Sequence, residues 1–193
     1  MHEETTDFRK AIQLVTQTAL DEIEKYGTPS VLNFETANRI GQELAEKHNV
    51  HKETVLLGTM LMDIKIGECL KEDKLDEHID RSMQEAKRLL TTIPFSKEDL
   101  DKVLNCIEAH HAQVPFTCKE AEIVANADCY RFLLPKNALY FFHELMAAGK
   151  TTEDAAAFTA QKVQEKHDIM SLPDCKQQLE PNYQALMEVL NKV

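Results

Sequence analysis

The sequence predicts an all-α fold, and three observations support this prediction. Apolar residues recur at steps of three and four along most of the chain, which is the period of an amphipathic helix. No segment shows the strict apolar–polar alternation that indicates a β-strand. The 5 Gly and 6 Pro are few and mostly fall between the periodic segments. We therefore expect eight or nine helices joined by short turns.

Nine helical segments follow from this pattern, in chain order. Gly27 and Pro29 end the first, and Asn49 stands where the second should stop. The segment 55–62, VLLGTMLM, is apolar on nearly every side and is predicted to be a central buried helix, followed by a polar connection over 65–75. The predicted helices are about 3–26, 31–48, 55–62, 76–91, 97–112, 118–132, 136–148, 152–170, and a last one with Pro181 in its first turn.

Length and composition predict one domain over residues 1–193, large enough to bury a core without a disulfide or a structural metal. The formal net charge of −11 argues against a general nucleic-acid or anionic-membrane binder. No apolar run approaches the roughly 20 residues of a membrane-spanning helix, and the polar, acidic start predicts no signal or transit peptide. The 5 cysteines are scattered without CxxC spacing, which is typical of reduced thiols in a cytoplasmic protein.

Several polar residues interrupt apolar helix stripes, where burying them is costly. They are Asn33, Asp63, His110, His111 and Asp128. Taken singly, each has a structural explanation: an Asn is often a satisfied core amide, an Asp caps a neighbouring helix, and a His pair at a helix end faces solvent. Taken together, they predict a convergent polar pocket. A buried carboxylate needs a counter-charge, and a metal or a cationic ligand would supply it.

His78 is a further candidate for this pocket. It opens the helix predicted over 76–91 and lies at the edge of that helix's apolar stripe. A solvated His at a helix start is an equally good interpretation, and both stay open at this point. The remaining histidines lie among charged or surface-patterned residues and are given no role.

The spacing of these residues resembles that of the HD superfamily of all-α, divalent-metal-dependent phosphohydrolases. The segment LNFETANRIGQELAEKHNVHKETVLLGTMLMDI (32–64) aligns without a gap, with Asn33 at the first His position and Met62 and Asp63 at the His-Asp pair. IEAHH (107–111) is similar to the family's I-x-x-H element, with His110 matching. EAEIVANADCYRFL (120–133) places Asp128 at the distal Asp. The tail KVQEKHDIM (162–170) resembles small stand-alone members, so the resemblance covers about 30–190.

The resemblance implies hydrolysis of a nucleotide or another small phosphorylated metabolite with Mn, Mg, Fe, Co or Zn. It implies Asp63 and His110 as catalytic residues. The metal-ligand candidates are Asp63, Asp128, His110, His111, His78 and Asn33. Two family histidines are replaced, by Asn33 and Met62. A thioether is a poor ligand for these ions and an amide oxygen is a weak one, so we expect a degenerate site that binds metal weakly or not at all.

Three functions remain open from the sequence. The first is a working hydrolase with a rearranged metal site, whose partner is a small phosphorylated ligand. The second is a catalytically silent HD domain that binds a small ligand or a partner protein. The third is a purely structural helical adaptor, which leaves two inward-facing carboxylates without a reason. The oligomeric state is open too, with a homodimer as one alternative.

Overall fold

The computed structural model of the protein describes residues 5–193, and within this range it is all-α, as predicted, with no β-strand. It contains ten α-helices and a short 3-10 helix, Leu75–Glu77. The chain consists of two compact units, the first ending at Ala127 and the second comprising Asp128–Val193. A single domain over 1–193 stays a prediction.

The helices follow the predicted order. The first unit holds α1 (Phe8–Tyr26), α2 (Val31–His48), α3 (Lys52–Leu61), α4 (Ile66–Lys71), α5 (His78–Leu90) and α6 (Lys97–Glu108). The helix α7 (Lys119–Leu133) begins in the first unit and ends in the second, which also holds α8 (Pro135–Ala147), α9 (Thr152–Ile169) and α10 (Pro173–Leu190). Residues 3 and 4 of the predicted first helix lie outside the described part of the chain.

Helix ends form where local chemistry favours them. The side-chain oxygens of Ser30, Ser96 and Thr151 each accept the backbone N–H three residues later, which caps α2, α6 and α9. Gly27 and Asn49 end α1 and α2 in the left-handed conformation, with φ of 72° and 53°. Gly adopts this conformation freely and Asn does so more readily than most residues.

Four predicted boundaries were wrong. The first helix begins at Phe8, after the capping residue Asp7, so the described residues 5–7 are not helical. The predicted connection over 65–75 contains α4. Pro181 lies inside α10, because Pro173 already occupies the first turn. The helix α6 ends at Glu108 instead of continuing to 112, and Ala112 has a left-handed φ of 53°. His110 and His111 therefore lie in the turn after α6, and their backbone leaves the helix axis.

The core of the first unit is built around α3, which packs against α1, α2 and α6. Val55, Leu57 and Leu61 are fully buried, which confirms the prediction of a central buried helix. Gly58 allows the close approach of α6: a Cβ atom there would lie 2.7 Å from Cys106 Cβ and 2.8 Å from Val124 Cγ2. This close packing brings the end of α3 towards the end of α6.

Replacing Gly58 by Ala should therefore destabilise the protein. The helix propensity of Ala would favour the variant by about 1 kcal/mol, but overpacking at these contact distances costs about 1–3 kcal/mol. We expect unfolding at a lower urea concentration, while the slope of the unfolding free energy against urea concentration stays unchanged. A midpoint equal to or above that of the parent would contradict the tight packing of α3 on α6.

The second unit has its own core, where α9 packs against α8 and α10. Ala155, Val163 and Leu179 are almost fully buried there. None of the helices in the described range is long and apolar enough to cross a membrane.

Candidate functional site

Asp63 lies in the turn that follows α3, and its position explains its burial. Because α3 is the most apolar helix of the first unit, the residue at its exit remains inside the core and is only 6% exposed. Its backbone carbonyl accepts the N–H of Ile66, at the start of α4. The carboxylate thus lies on a short, hydrogen-bonded connection between two helices.

The buried imidazoles of His78 and His110 share one hydrogen-bonding arrangement. His78 Nδ1 lies 2.7 Å from the carbonyl oxygen of Leu75, and His110 Nδ1 lies 2.6 Å from that of Ile107. A carbonyl oxygen can only accept, so each Nδ1 carries the proton and each Nε2 presents a lone pair in the neutral ring. Such a bond fixes the tautomer and ring orientation of a metal-binding histidine.

Both Nε2 atoms point at the same carboxylate oxygen. Asp63 Oδ1 lies 3.8 Å from His78 Nε2 and 3.6 Å from His110 Nε2. His111 completes the group: ligand atoms of His78, His110 and His111 all lie within 4.8 Å of one another. Ligands at 2.0–2.2 Å around one zinc-like ion are roughly 3–3.5 Å apart, so a small contraction would let these side chains share an ion.

The histidines differ in their exposure. His110 is fully buried and His78 is 7% exposed, whereas His111 is half-buried. The ring centroids of His110 and His111 lie 4.0 Å apart, and the two rings are tilted at 57° to each other. His111 is therefore the histidine of this cluster that faces solvent, and it marks the side from which a ligand could enter.

Asn33 and Met62 are the residues that the sequence resemblance aligns with two histidines of the HD superfamily. Asn33 lies in the first turn of α2, and its backbone N–H donates to Ser30 Oγ at 3.3 Å. Met62 follows the last residue of α3, directly before Asp63, and is 2% exposed. Both are buried, as the sequence pattern predicted. Whether Asn33 ligates a metal stays a prediction.

Asp128, in the second unit, has two cationic partners. Lys166 Nζ lies 2.7 Å from Asp128 Oδ2, and Arg131 Nη1 lies 2.8 Å from Asp128 Oδ1. All three residues are at least 95% buried. Burial of the Lys166 ammonium lowers its pKa, but Asp128, Cys129 and Glu165 outweigh this effect and the pKa is raised. The counter-charge that the sequence predicted for Asp128 is therefore provided by side chains of the protein.

Sequence reasoning missed Lys166 and Arg131. A signal for Lys166 was present, because it lies three residues after Val163 and seven after Thr159, on the buried stripe of α9. A cation on such a stripe predicts a buried anionic partner. Arg131, three residues after Asp128 on the same helix, is placed for an ion pair by helical spacing alone.

These features define a class of protein: an all-α domain whose helix ends bring three imidazoles and a carboxylate together. No family model matches the chain. Among solved structures, Bacillus subtilis YpgQ has a TM-score of 0.67 at 17% identity, covering 97% of this chain and 95% of YpgQ. The structure of YpgQ in complex with ADP has a TM-score of 0.64 at 16% sequence identity, and the match covers 95% of this chain and 94% of that chain. A predicted HD superfamily hydrolase from an uncultured Thermotogales bacterium has a TM-score of 0.60 at 15% sequence identity, and the match covers 97% of this chain and 91% of that chain.

The chain therefore has the fold of the HD superfamily hydrolases, which confirms the resemblance at the level of fold. One curated relative, ribonuclease Y of Finegoldia magna, is 33% identical over 96 residues. This match covers 50% of the chain and 17% of the relative. The likeness thus concerns a small part of that protein.

Proposed function

We propose that this protein is a divalent-metal-dependent phosphohydrolase that acts on a nucleotide or another small phosphorylated metabolite. The observation that carries the proposal is the convergence of three electron-pair donors: Asp63 Oδ1 with the Nε2 atoms of His78 and His110. A cation among two imidazole nitrogens and a carboxylate oxygen would offset the electrostatic cost of burying these donors together. The complex of YpgQ with ADP supports a nucleotide as the ligand class.

The donor set fits a divalent transition metal. Imidazole nitrogen suits Zn, Fe, Mn and Co better than Mg, which prefers oxygen ligands. Asp63, His78 and His110 would hold the ion, with His111 at the solvent side. When bound, the ion would supply a Lewis acid that lowers the pKa of a coordinated water and offsets charge on a phosphoryl group.

The chain's own residues would perform the remaining tasks. The carbonyl groups of Leu75 and Ile107 hold the two buried rings in a fixed orientation, so little reorganisation is needed when the site is occupied. His111 is half-buried beside the site and can exchange protons with solvent, which suits it to protonate a leaving oxygen. Asp63 and His110 stay the predicted catalytic residues.

The test combines metal binding with turnover. Protein stripped with a chelator is titrated with Mn²⁺, Co²⁺ or Zn²⁺, and its melting temperature is followed. At 100 times the dissociation constant, binding to the folded state alone stabilises by about 2.7 kcal/mol. We expect a metal-dependent rise together with phosphate release from nucleoside diphosphates. If none of these ions raises the melting temperature or produces phosphate release, the proposal is wrong.

The purified protein should contain little tightly bound transition metal, because Asn33 and Met62 replace two imidazoles. Elemental analysis after dialysis measures this directly. Stoichiometric Fe, Mn or Zn would contradict the prediction and would indicate that His78 or His111 takes the place of a missing ligand.

A second candidate function is a catalytically silent HD domain that binds a small phosphorylated ligand. The ion pairs of Asp128 with Lys166 and Arg131 favour it, because an aspartate that the family resemblance implies as a ligand is already neutralised. Calorimetry with ADP separates the two functions: binding without phosphate release supports the silent domain.

Restoring the missing histidines provides a further prediction. The double variant Asn33→His, Met62→His should gain a metal-dependent rise in melting temperature larger than that of the parent, with phosphatase activity. The changed shapes should cost about 1–3 kcal/mol of stability without metal. A variant that folds but gains neither property would favour the silent domain over the hydrolase.

A further inference from the structure

The helix α8 is apolar but largely uncovered. Most of its 13 residues are apolar or aromatic, yet only Asn137 and Ala138 are buried. Leu139 is 57% exposed and Tyr140 is 42% exposed. An apolar helix side that the chain itself leaves open is typical of a contact surface for another molecule.

The exposed side of α8 is continuous, and we call it the α8 face. Its residues are exposed and recur at steps of three and four, as neighbours on one side of a helix do: Lys136, Leu139, Tyr140, His143 and Ala147. The helices α9 and α10 contact α8 and leave this side of it open. All of these residues belong to the second unit, which therefore forms the face by itself.

The charges along α8 are complementary to themselves. Lys136, Tyr140 and Glu144 follow one another at four-residue steps, so they form one row along the helix, with a cation at one end and a carboxylate at the other. Among the described residues, neither Lys136 nor Glu144 has an ion-pair partner. Burial raises the pKa of Glu144, and the charges of His143 and Arg131 oppose this only in part. Both ends of the row can thus accept a partner of opposite charge.

We propose that a second copy of this chain docks on the α8 face, with the two α8 helices antiparallel about a two-fold axis. Such a contact uses the same surface on both chains, which must therefore be complementary to itself. Turning the row end for end about Tyr140 brings each Lys136 level with Glu144 of the partner subunit. The two Tyr140 rings then meet at the centre of the contact, where aromatic residues are favoured.

The net charge of the face favours a second copy over a partner of opposite charge. The chain carries a formal charge of −11, so two copies repel each other over most of their surface. The row on α8 contributes one positive and one negative charge, and repulsion is weak there. A basic partner would be attracted to an acidic surface, which the α8 face does not offer.

The proposed contact is small. A helix of 13 residues is about 20 Å long, so the pairing should bury less than the roughly 800 Å² per partner of a standard interface. Contacts of this size are typical of weak and reversible association, and we expect a micromolar dissociation constant. The proposal does not depend on the proposed hydrolase activity, because α8 belongs to the second unit and the pairing involves no metal.

Sedimentation equilibrium of the full chain in chelator, up to a concentration of about 1 mM, tests the proposal. We expect a monomer–dimer equilibrium. Leu139→Glu should raise the dissociation constant by more than about 10-fold, because it places two carboxylates in the contact. Leu20→Glu is the matched control: Leu20 is 41% exposed on α1, and its replacement should leave the dissociation constant unchanged.

Charge reversal tests the antiparallel register. Lys136→Glu and Glu144→Lys should each weaken the dimer by about 10-fold, because the two-fold axis creates two like-charged pairs. Combining the two substitutions restores unlike pairs and the net charge of the parent, so the dissociation constant should return to within about 3-fold of the parent value. Lys97→Glu, at an exposed site on α6, changes the net charge as Lys136→Glu does and should leave the dimer intact.

Four outcomes would overturn the proposal: a chain that stays monomeric at the highest concentration, a dimer unaffected by Leu139→Glu, a double charge variant no stronger than the single ones, or equal weakening by Lys97→Glu. The charge variants alter partly or fully exposed side chains, so they decide the question even if Leu139→Glu does not fold.

Discussion

Asp128→Asn is expected to lower the free energy of unfolding by about 3–5 kcal/mol when measured in chelator. The substitution keeps the shape of the side chain but leaves Lys166 and Arg131 buried beside each other without the carboxylate that neutralises them. Removing one partner of a buried ion pair has a cost of this size. Urea unfolding of the metal-free protein measures it.

The matched control is Glu165→Gln on α9. Glu165 lies 3.6 Å from Lys166 Nζ but is 36% exposed, and its pair with Lys162 is also exposed, so the loss should be about 0–1 kcal/mol. If Asp128 served only as a metal ligand, its replacement would leave the stability of the metal-free protein unchanged. That result would contradict the ion-pair role and would return Asp128 to the candidate ligands.

His110→Gln should weaken divalent-metal binding by more than about 100-fold. The imidazole Nε2 of His110 is one of the two that face Asp63 Oδ1, and even loss of a partner outside the ligand set usually costs 10- to 100-fold in metal affinity. Titration with Co²⁺, followed by the visible absorption of the bound ion, gives the dissociation constant. Circular dichroism checks that the variant is folded.

His143→Gln is the control for this experiment, since His143 is exposed on α8 in the second unit and belongs to no cluster in the described residues. Its metal affinity should equal that of the parent. If His110→Gln binds metal as tightly as His143→Gln, the ion binds elsewhere and the proposed metal centre is wrong.

The sequence was sufficient to predict the all-α fold, because the spacing of apolar residues is a local property of each helix. It also predicted that Asp63, His110 and Asp128 face inwards, since each continues an apolar stripe, and all three are buried. The VLLGTMLM helix was correctly placed in the centre for the same reason. The resemblance to the HD superfamily then provided the fold.

The tertiary structure decided which inward-facing residues meet. His78 lies at the edge of the apolar stripe of α5, so the sequence alone could not distinguish it from a solvated residue. The packing of α5 and of α3 against α6 brings its Nε2 to 3.8 Å from Asp63 Oδ1. Lys166 and Asp128 are 38 residues apart in sequence, and no local pattern pairs them. Periodicity determines which face of a helix is buried, but the partner of a buried charge depends on how distant helices pack against one another.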